Sequence, residues 1–222
     1  ASADRPTIVL PVGPMLVGHF KGEVLGACTD CRRLWGQYRA GTFSEQDIQQ
    51  VSERLAPTKG TCMVMGTAST MGCMVETLGM GLPNSGSIPA THSDRLRVAE
   101  ATGKRAAEMA VSGGPKPSEI MTKAAFRNAL TVMQAIGGST NVTLHAPEIA
   151  RAAGFADFWK EVMTPAEFNH LSQHVVPVLT DARPYGKYSM VDIDAVGGVQ
   201  VIVRELLEAG LLNGDVMTCT GE

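Results

Sequence analysis

The chain has 222 residues, 44% hydrophobic and 18% charged, which is the composition of a globular protein with one large or two small domains. A formal net charge of −3 without any basic block excludes an obvious nucleic-acid-binding surface. The opening residues lack a signal-peptide pattern, and no uncharged apolar stretch has the length of about 18 residues that a membrane span needs. We therefore expect a cytoplasmic protein whose five cysteines serve as buried thiols or ligands and form no disulfide framework.

The first half of the chain predicts one strand followed by helices. An apolar, β-branched run at residues 6–13 predicts a buried strand. Ser44, with Asp47 three residues later, indicates a capping box at the start of a helix that Pro57 and Gly60 end. The other helices predicted in this half lie at residues 22–38, 62–80 and 93–112.

The second half of the chain predicts further helices and a second isolated strand. Helices are expected at 119–136, from a cap at Ser139 or Thr140 through 153, from Thr164 onward, and as a pair over 190–209 interrupted at Gly197 and Gly198. Residues 175–184 are typical of a buried strand that leads into a loop. Strands separated by long helical stretches favour a parallel sheet, so the predicted fold class is α/β, with helix-rich layers around a parallel sheet.

Cys62 is the leading candidate for chemistry in the stretch KGTCMVMGTASTMGCMV (residues 59–75). If Cys62 opens a helix, the positive helix end and Lys59 favour its thiolate, and Gly60 lets the backbone approach a cofactor closely. These features suit a nucleophile or an iron–sulfur ligand, while a buried thiol in a Met-rich helix is the open alternative. Cys73 would lie about 16 Å further along a continuous helix, too far to share a metal, and is predicted to be a core residue.

The remaining cysteines carry weaker signals. Cys28 and Cys31 form a CxxC pair, which fits half a zinc site, a redox pair, an iron–sulfur pair, or two thiols at the start of a helix. A second CxxC pair does not occur, which favours two thiols at the start of a helix over a metal role. Cys219 has no assignable role from its sequence context.

A glycine turn precedes a candidate anion site at IGGSTN (residues 136–141). Backbone N–H groups, the hydroxyls of Ser139 and Thr140 and the amide of Asn141 would converge at a helix N-terminus, which suits a carboxylate or a phosphate. His145 lies four residues beyond Asn141, on the same helical face. The alternative is an ordinary Ser or Thr cap after a glycine helix end.

Two polar loops could line a binding site. Residues 84–94, NSGSIPATHSD, could present hydroxyls and His92 to a ligand, and residues 181–189 place Asp181 and Lys187 after the second predicted strand. Ligands of open α/β sheets bind beyond the carboxyl ends of strands, although solvated loops are the simpler interpretation of both segments.

Several stretches of the chain resemble one enzyme family in the same order. They are GPMLVGHFKGEVLG, GTCMVMGTASTMGCMVETLGMGLPNSGSIPA, NALTVMQAIGGSTNVTLHAPEIARAAG, VPVLTDARPYGKYSM and AVGGVQVIVRELLEAGLLNGDVMTCTGE. Together they resemble the dihydroxy-acid and sugar-acid dehydratases over essentially all 222 residues.

The resemblance implies a hydro-lyase that converts a 2,3-dihydroxy acid or an aldonic acid to a 2-keto acid. Family members use an iron–sulfur cluster, held by three cysteines, as a Lewis acid on the leaving hydroxyl, with Mg²⁺ at the carboxylate and a serine alkoxide as base. By resemblance Cys62 is the third cluster cysteine, while Ser139, Thr140, Asn141 and His145 belong to the architecture of the substrate site. The cluster implied is [2Fe–2S] in preference to [4Fe–4S].

The same resemblance predicts that residues 1–222 form a partial N-terminal α/β/α domain of a longer enzyme. The other two cluster cysteines, most Mg²⁺ ligands, the catalytic serine and a C-terminal β-barrel would lie outside these residues. No catalytic residue is therefore expected in this segment, which alone would hold neither cluster nor Mg²⁺. The intact enzyme would be a homo-oligomer, a dimer or tetramer, acting on a small-molecule acid without nucleic-acid or membrane partners.

The substrate and two further functions remain open at the level of sequence. TCMVMGTASTM and CRRLWGQYRAG are more similar to the sugar-acid dehydratases, which favours an aldonate such as a pentonate and a 2-keto-3-deoxy acid product. The alternative is the dihydroxy-acid dehydratase of branched-chain amino-acid biosynthesis. A non-catalytic binding or assembly domain on the same fold is an alternative of another class, and a Cys62 nucleophile would need a base that the sequence does not identify.

Overall fold

The computed structural model describes residues 2–221, apart from the side chains of residues 27 and 28. A short hairpin, β1 (Gly18–Phe20) and β2 (Glu23–Leu25), precedes a helical body, and a π-helical turn, Leu171–Val175, continues the ninth helix. The helices are α1 (Ala27–Arg39), α2 (Glu45–Arg54), α3 (Thr67–Thr77), α4 (Ser93–Ser112), α5 (Pro117–Ile120), α6 (Lys123–Ala135), α7 (Val142–Ala152), α8 (Phe158–Glu161), α9 (Pro165–His170), α10 (Met190–Ala195) and α11 (Gly198–Glu208). The predicted helix-rich character is confirmed.

Helices with strong local end signals lie where the sequence predicts them. At the start of α2 the Ser44 hydroxyl accepts from the Asp47 N–H at 3.1 Å, and the Asp47 carboxylate accepts from the Ser44 N–H at 3.2 Å. This is the predicted capping box. Helix α4 matches its predicted bounds and ends at Gly113, whose φ of 82° is the left-handed conformation that favours glycine.

Three predicted helices have different bounds. The helix expected at 62–80 is α3, which begins only at Thr67. The helix expected at 119–136 is divided into α5 and α6, because the Thr122 hydroxyl accepts from the Ala125 N–H and starts a new helix. The helix expected at 22–38 begins at Ala27, since Lys21 and Gly22 (φ 47° and 86°) form the turn of the hairpin instead.

The two predicted strands are wrong, and no parallel sheet is present among residues 2–221. Their regular sheet is the antiparallel pair β1–β2, with Gly18 opposite Leu25. Each of these segments instead makes a backbone hydrogen bond near the end of a helix. The Val9 N–H donates to the Met80 carbonyl at 2.8 Å, and the Leu179 N–H donates to the Ala135 carbonyl at 2.7 Å. Parallel pairing within the same residues is limited to isolated bridges, Pro14 with Thr61 and Ala182 with Tyr188.

Helices α3 and α6 form the centre of the fold. The buried face of α6 extends almost all round the helix, and α3 packs along it. One apolar cluster joins α3 and α6 to α4, α5, α7 and α8, and a second joins them to α10 and α11. A third, smaller cluster lies between the hairpin, α1 and α2. Among residues 2–221, no helix is long and apolar enough to cross a membrane.

Candidate functional site

Cys62 lies in a loop that enters α3. Thr61 is bridged to residues 13–15, donating its N–H to the Gly13 carbonyl and accepting the N–H of Met15, both at 2.8 Å. The Cys62 residue that follows is half-buried, and α3 begins five residues later at Thr67. The prediction that Cys62 opens the helix is therefore wrong. The distance to Cys73 that assumed one continuous helix is wrong for the same reason.

Cys62 nevertheless lies beside the first turn of α3. The buried hydroxyl of Ser69, the third residue of that helix, donates to the Cys62 carbonyl at 3.2 Å. Gly60 packs against the backbone of Pro14 and Met15, since a Cβ there would lie 2.5 Å from the Met15 nitrogen. Close packing of two backbone segments, with φ 134° at Gly60, explains that glycine.

The glycine turn at 137–141 packs against the same turn of α3. The Thr67 and Ser139 hydroxyls lie 2.9 Å apart, and the Asn141 amide donates to the Thr67 hydroxyl at 2.8 Å. The Ser139 N–H donates to the Thr70 hydroxyl at 3.0 Å. We call Thr67, Thr70, Ser139 and Asn141 the Thr67 cluster. It brings together residues from two motifs that the sequence singled out separately.

The predicted caps of α7 differ from the observed ones. Helix α7 begins at Val142, and the Asn141 residue before it has helical backbone angles and no side-chain cap bond. Ser139 and Asn141 are directed to Thr67, whereas Thr140 and His145 are exposed. A role for these four residues in a substrate site stays a prediction.

The other cysteines are placed mainly in the core. Burial raises the pKa of the Cys73 thiol to about 12, with the Glu76 charge adding to the effect, so Cys73 is an inert thiol. Burial also raises the pKa of Cys219, with Arg105 opposing the shift. Cys31 is half-buried, and the side chain of Cys28 lies outside the described residues.

The loop at 84–90 is held inward and does not present its hydroxyls to a ligand. Arg95 donates to the carbonyls of Pro11 at 2.9 Å and Ser85 at 2.8 Å, and also to Ile88. The buried Ser87 hydroxyl donates to Asp194 at 3.0 Å. His92, predicted as a possible ligand contact, accepts the Asp94 N–H at 3.2 Å at the start of α4.

Glu76 and Arg95 are buried charged residues that the sequence did not mark as functional. Both are buried: the Glu76 carboxylate accepts from the N–H groups of Asn84 at 2.8 Å and Gly86 at 2.9 Å. Glu76 could have been singled out from the sequence, because it is the single charged residue of helix α3. Buried charges are rare unless they are paired or hydrogen-bonded.

The second polar loop runs beside the Cys62 loop. Met65 donates its N–H to the Arg183 carbonyl at 2.8 Å, and Met190 donates to the Met63 carbonyl at 2.8 Å. The Asp181 and Lys187 side chains are themselves exposed. Three segments therefore converge on the start of α3: the Cys62 loop, the glycine turn and residues 183–190.

Comparison with known proteins decides the family. The family model described as "Dihydroxy-acid/6-phosphogluconate dehydratase N-terminal" matches residues 1–222. The chain belongs to the dihydroxy-acid/6-phosphogluconate dehydratase family. It is 41% identical over 222 residues to a dihydroxy-acid dehydratase of Saccharolobus islandicus and 41% identical over 221 residues to one of Caldanaerobacter subterraneus, with 100% of this chain covered in each case.

The chain spans 38% of the length of these dihydroxy-acid dehydratases. Within the part of this family member that the structure describes, no three His, Cys, Asp or Glu side chains converge to hold a metal ion. Cys62 has the donor type that iron–sulfur clusters use, but a cluster takes several thiolates. The Cys62 thiol is a suitable donor for an iron–sulfur cluster, but residues 2–221 alone do not supply enough donor groups to hold one.

Proposed function

We propose that the full-length gene product containing this chain is a dihydroxy-acid dehydratase. It would remove water from a 2,3-dihydroxy carboxylic acid and release the 2-keto acid. The observation that carries the proposal is the 41% identity to proteins of that name over every residue of the chain. Cys62, predicted from its motif, also has the exposure and the position beside a helix N-terminus that suit a ligand.

Cys62 would supply one thiolate to the iron–sulfur cluster, and two further cysteines and the Mg²⁺ ligands would come from outside residues 1–222. The cluster, when bound, supplies a Lewis acid for the leaving hydroxyl. The contribution of this chain is to hold the Cys62 loop: the residues that follow it, Met63, Val64 and Met65, are buried and anchor the loop in the core. We prefer [2Fe–2S] over [4Fe–4S] and a homo-oligomeric enzyme, as the family resemblance implies.

The names of the relatives favour the branched-chain dihydroxy acid over the aldonate that the sequence motifs suggested. The aldonate is kept as the second candidate because the family description also includes 6-phosphogluconate dehydratase. The two substrates differ beyond C3, where one carries alkyl groups and the other carries hydroxyls. They are therefore distinguishable by direct assay.

The test is to reconstitute the full-length gene product anaerobically with iron, sulfide and Mg²⁺. A branched 2,3-dihydroxy acid and a pentonate are then supplied, and 2-keto acid is measured as its hydrazone. We expect the dihydroxy acid to be the better substrate. Preference for the pentonate would select the second candidate, and no 2-keto acid from either would favour the non-catalytic binding domain.

Cys62→Ser tests the proposed ligand in the same protein. We expect loss of most cluster absorbance and at least 100-fold lower activity, because a hydroxyl is a poor ligand for iron in place of a thiolate. Cys31→Ser is the matched control, since Cys31 is also half-buried and is not proposed as a ligand. Full activity in Cys62→Ser would contradict the assignment.

A further inference from the structure

The Thr67 hydroxyl connects two segments that are 72 residues apart in sequence. It accepts from the Asn141 amide at 2.8 Å and lies 2.9 Å from the Ser139 hydroxyl. The Ser139 hydroxyl also accepts from the Asn141 backbone N–H at 3.3 Å. Thr67, Ser139 and Asn141 thus form a small ring of hydrogen bonds at the first residue of α3, which the Asn141 backbone N–H closes.

A second anchor lies one turn further along α3. The buried Thr70 hydroxyl donates to the Gly66 carbonyl at 2.8 Å and accepts from the Ser139 N–H at 3.0 Å. A Cβ on Gly138 would lie 2.7 Å from the Thr70 methyl group, so only glycine permits this approach. The glycine turn is therefore docked on α3 at two points, and its position is tightly determined.

Ser69 connects the same helical turn to Cys62. Its side chain is 3% exposed, and its hydroxyl donates to the Cys62 carbonyl at 3.2 Å. The first turn of α3 thus contacts the glycine turn through Thr67 and Thr70, and the Cys62 backbone through Ser69. A shift of the helix start would move the Cys62 loop with it.

We infer that Thr67 and Ser69 are positioning residues, which together fix the Cys62 loop against a helix start that the glycine turn holds in place. The inference rests on the proposed role of Cys62 as a cluster ligand. Groups that orient a metal ligand from behind typically change metal affinity 10- to 100-fold when they are removed. The Ser139 hydroxyl and the Asn141 amide thereby contact α3, in addition to any role they have toward substrate.

The test compares Ser69→Ala and Thr67→Val with wild type in the full-length gene product. Thr67→Ser keeps the hydroxyl, and Thr77→Val is the matched control, since the Thr77 hydroxyl donates to the carbonyls of Cys73 and Met74 within α3. After anaerobic reconstitution, we measure the visible circular dichroism of the cluster and the rate at which a chelator removes iron. We expect Ser69→Ala and Thr67→Val to lose iron about 10- to 100-fold faster and to show altered dichroism. Thr67→Ser and Thr77→Val should match wild type.

A second readout uses the cluster-free protein. We measure the alkylation rate of Cys62 by mass spectrometry of its peptide and expect it to rise several-fold in Ser69→Ala and Thr67→Val only. If wild type takes up no cluster, the proposed function fails, and the alkylation rates alone decide the positioning claim. Unchanged rates and iron retention in both variants, or equal effects in Thr77→Val, would overturn the inference.

Discussion

At the scale of single residues, Glu76 is a buried carboxylate that fixes a long loop to α3. Its oxygens accept from the backbone N–H groups of Asn84 and Gly86 and from the Gln200 amide. Burial raises the pKa of Glu76, while these hydrogen bonds and the Arg95 charge oppose the rise. The carboxylate therefore connects α3, the 84–90 loop and α11 at one point.

Replacement of Glu76 by glutamine should destabilise the fold by about 1–3 kcal/mol. Whichever way the amide is turned, its NH₂ group faces a backbone N–H, of Asn84 or of Gly86, and leaves that donor without an acceptor. Urea unfolding at neutral pH measures the change. Glu100→Gln, at an exposed ion pair with Lys104, is the control and should change stability by less than about 1 kcal/mol.

The stability difference between wild type and Glu76→Gln should also depend on pH. Because the folded-state pKa lies above the ordinary value of 4.5, the folded protein retains this proton to higher pH than the unfolded chain. The stabilising contribution of Glu76 is thus greatest below pH 4.5 and declines as pH rises to the raised pKa. A difference that grows with pH over this range would show that the hydrogen bonds outweigh burial.

At the scale of elements, two glycines lie in different backbone conformations, one in a turn and one in a helix. Gly22 lies in the hairpin turn with φ 86°, and Gly103 lies on the exposed side of the long helix α4. Among residues 2–221, no heavy atom other than those of the adjacent residues and the local helix backbone lies within 4 Å of an added Cβ at either position. Substitution by alanine therefore reports backbone conformation without a steric clash.

Gly22→Ala should destabilise the protein by about 1–2 kcal/mol, because an L-residue is strained at positive φ. Gly103→Ala should stabilise it by about 0.5–1 kcal/mol, because alanine is the better helix former. Thermal unfolding of the two variants beside wild type gives both signs in one experiment. Shifts of the same sign would contradict the assigned backbone conformations.

Local signals predicted the helices well and the strands poorly. The Ser44 box and the bounds of α4 follow from residues within a few positions of each helix end. A strand also needs a partner, and the runs at 6–13 and 175–184 have the right side chains but no neighbouring strand among residues 2–221. The β1–β2 hairpin was missed because Lys21–Gly22 is a weaker turn signal than Asn–Gly.

At the scale of the whole molecule, the candidate site is built from distant segments. The motif around Cys62 identified a candidate ligand, but the nearby contact between Thr67 and Ser139, which are far apart in sequence, depends on the packing of α3 on α6. No periodicity encodes that contact. The family resemblance supplied what residue chemistry left open, namely the interpretation of Cys62 as a ligand in preference to a buried thiol.

The apolar core consists of separate clusters. Residues 18–55 have their own small cluster, formed by Phe20, Leu25, Leu34, Ile48 and Val51, apart from the two clusters that share α3 and α6. Arg183 provides a link to the rest, donating to the Val24 carbonyl at 3.4 Å and lying 3.8 Å from Asp30. A small cluster with few ties should open independently of the main core.

Leu34→Ala tests whether residues 18–55 open independently of the main core. Leu34 is 2% exposed in the small cluster, and its truncation typically costs about 2–5 kcal/mol. We expect faster amide hydrogen exchange throughout residues 18–55, with little change in α3 and α6, because the cost falls on the local opening of that unit. Leu130→Ala in α6 is the matched control and should accelerate exchange across the main core. Equal acceleration of all helices in Leu34→Ala would mean that the two parts unfold as one cooperative unit.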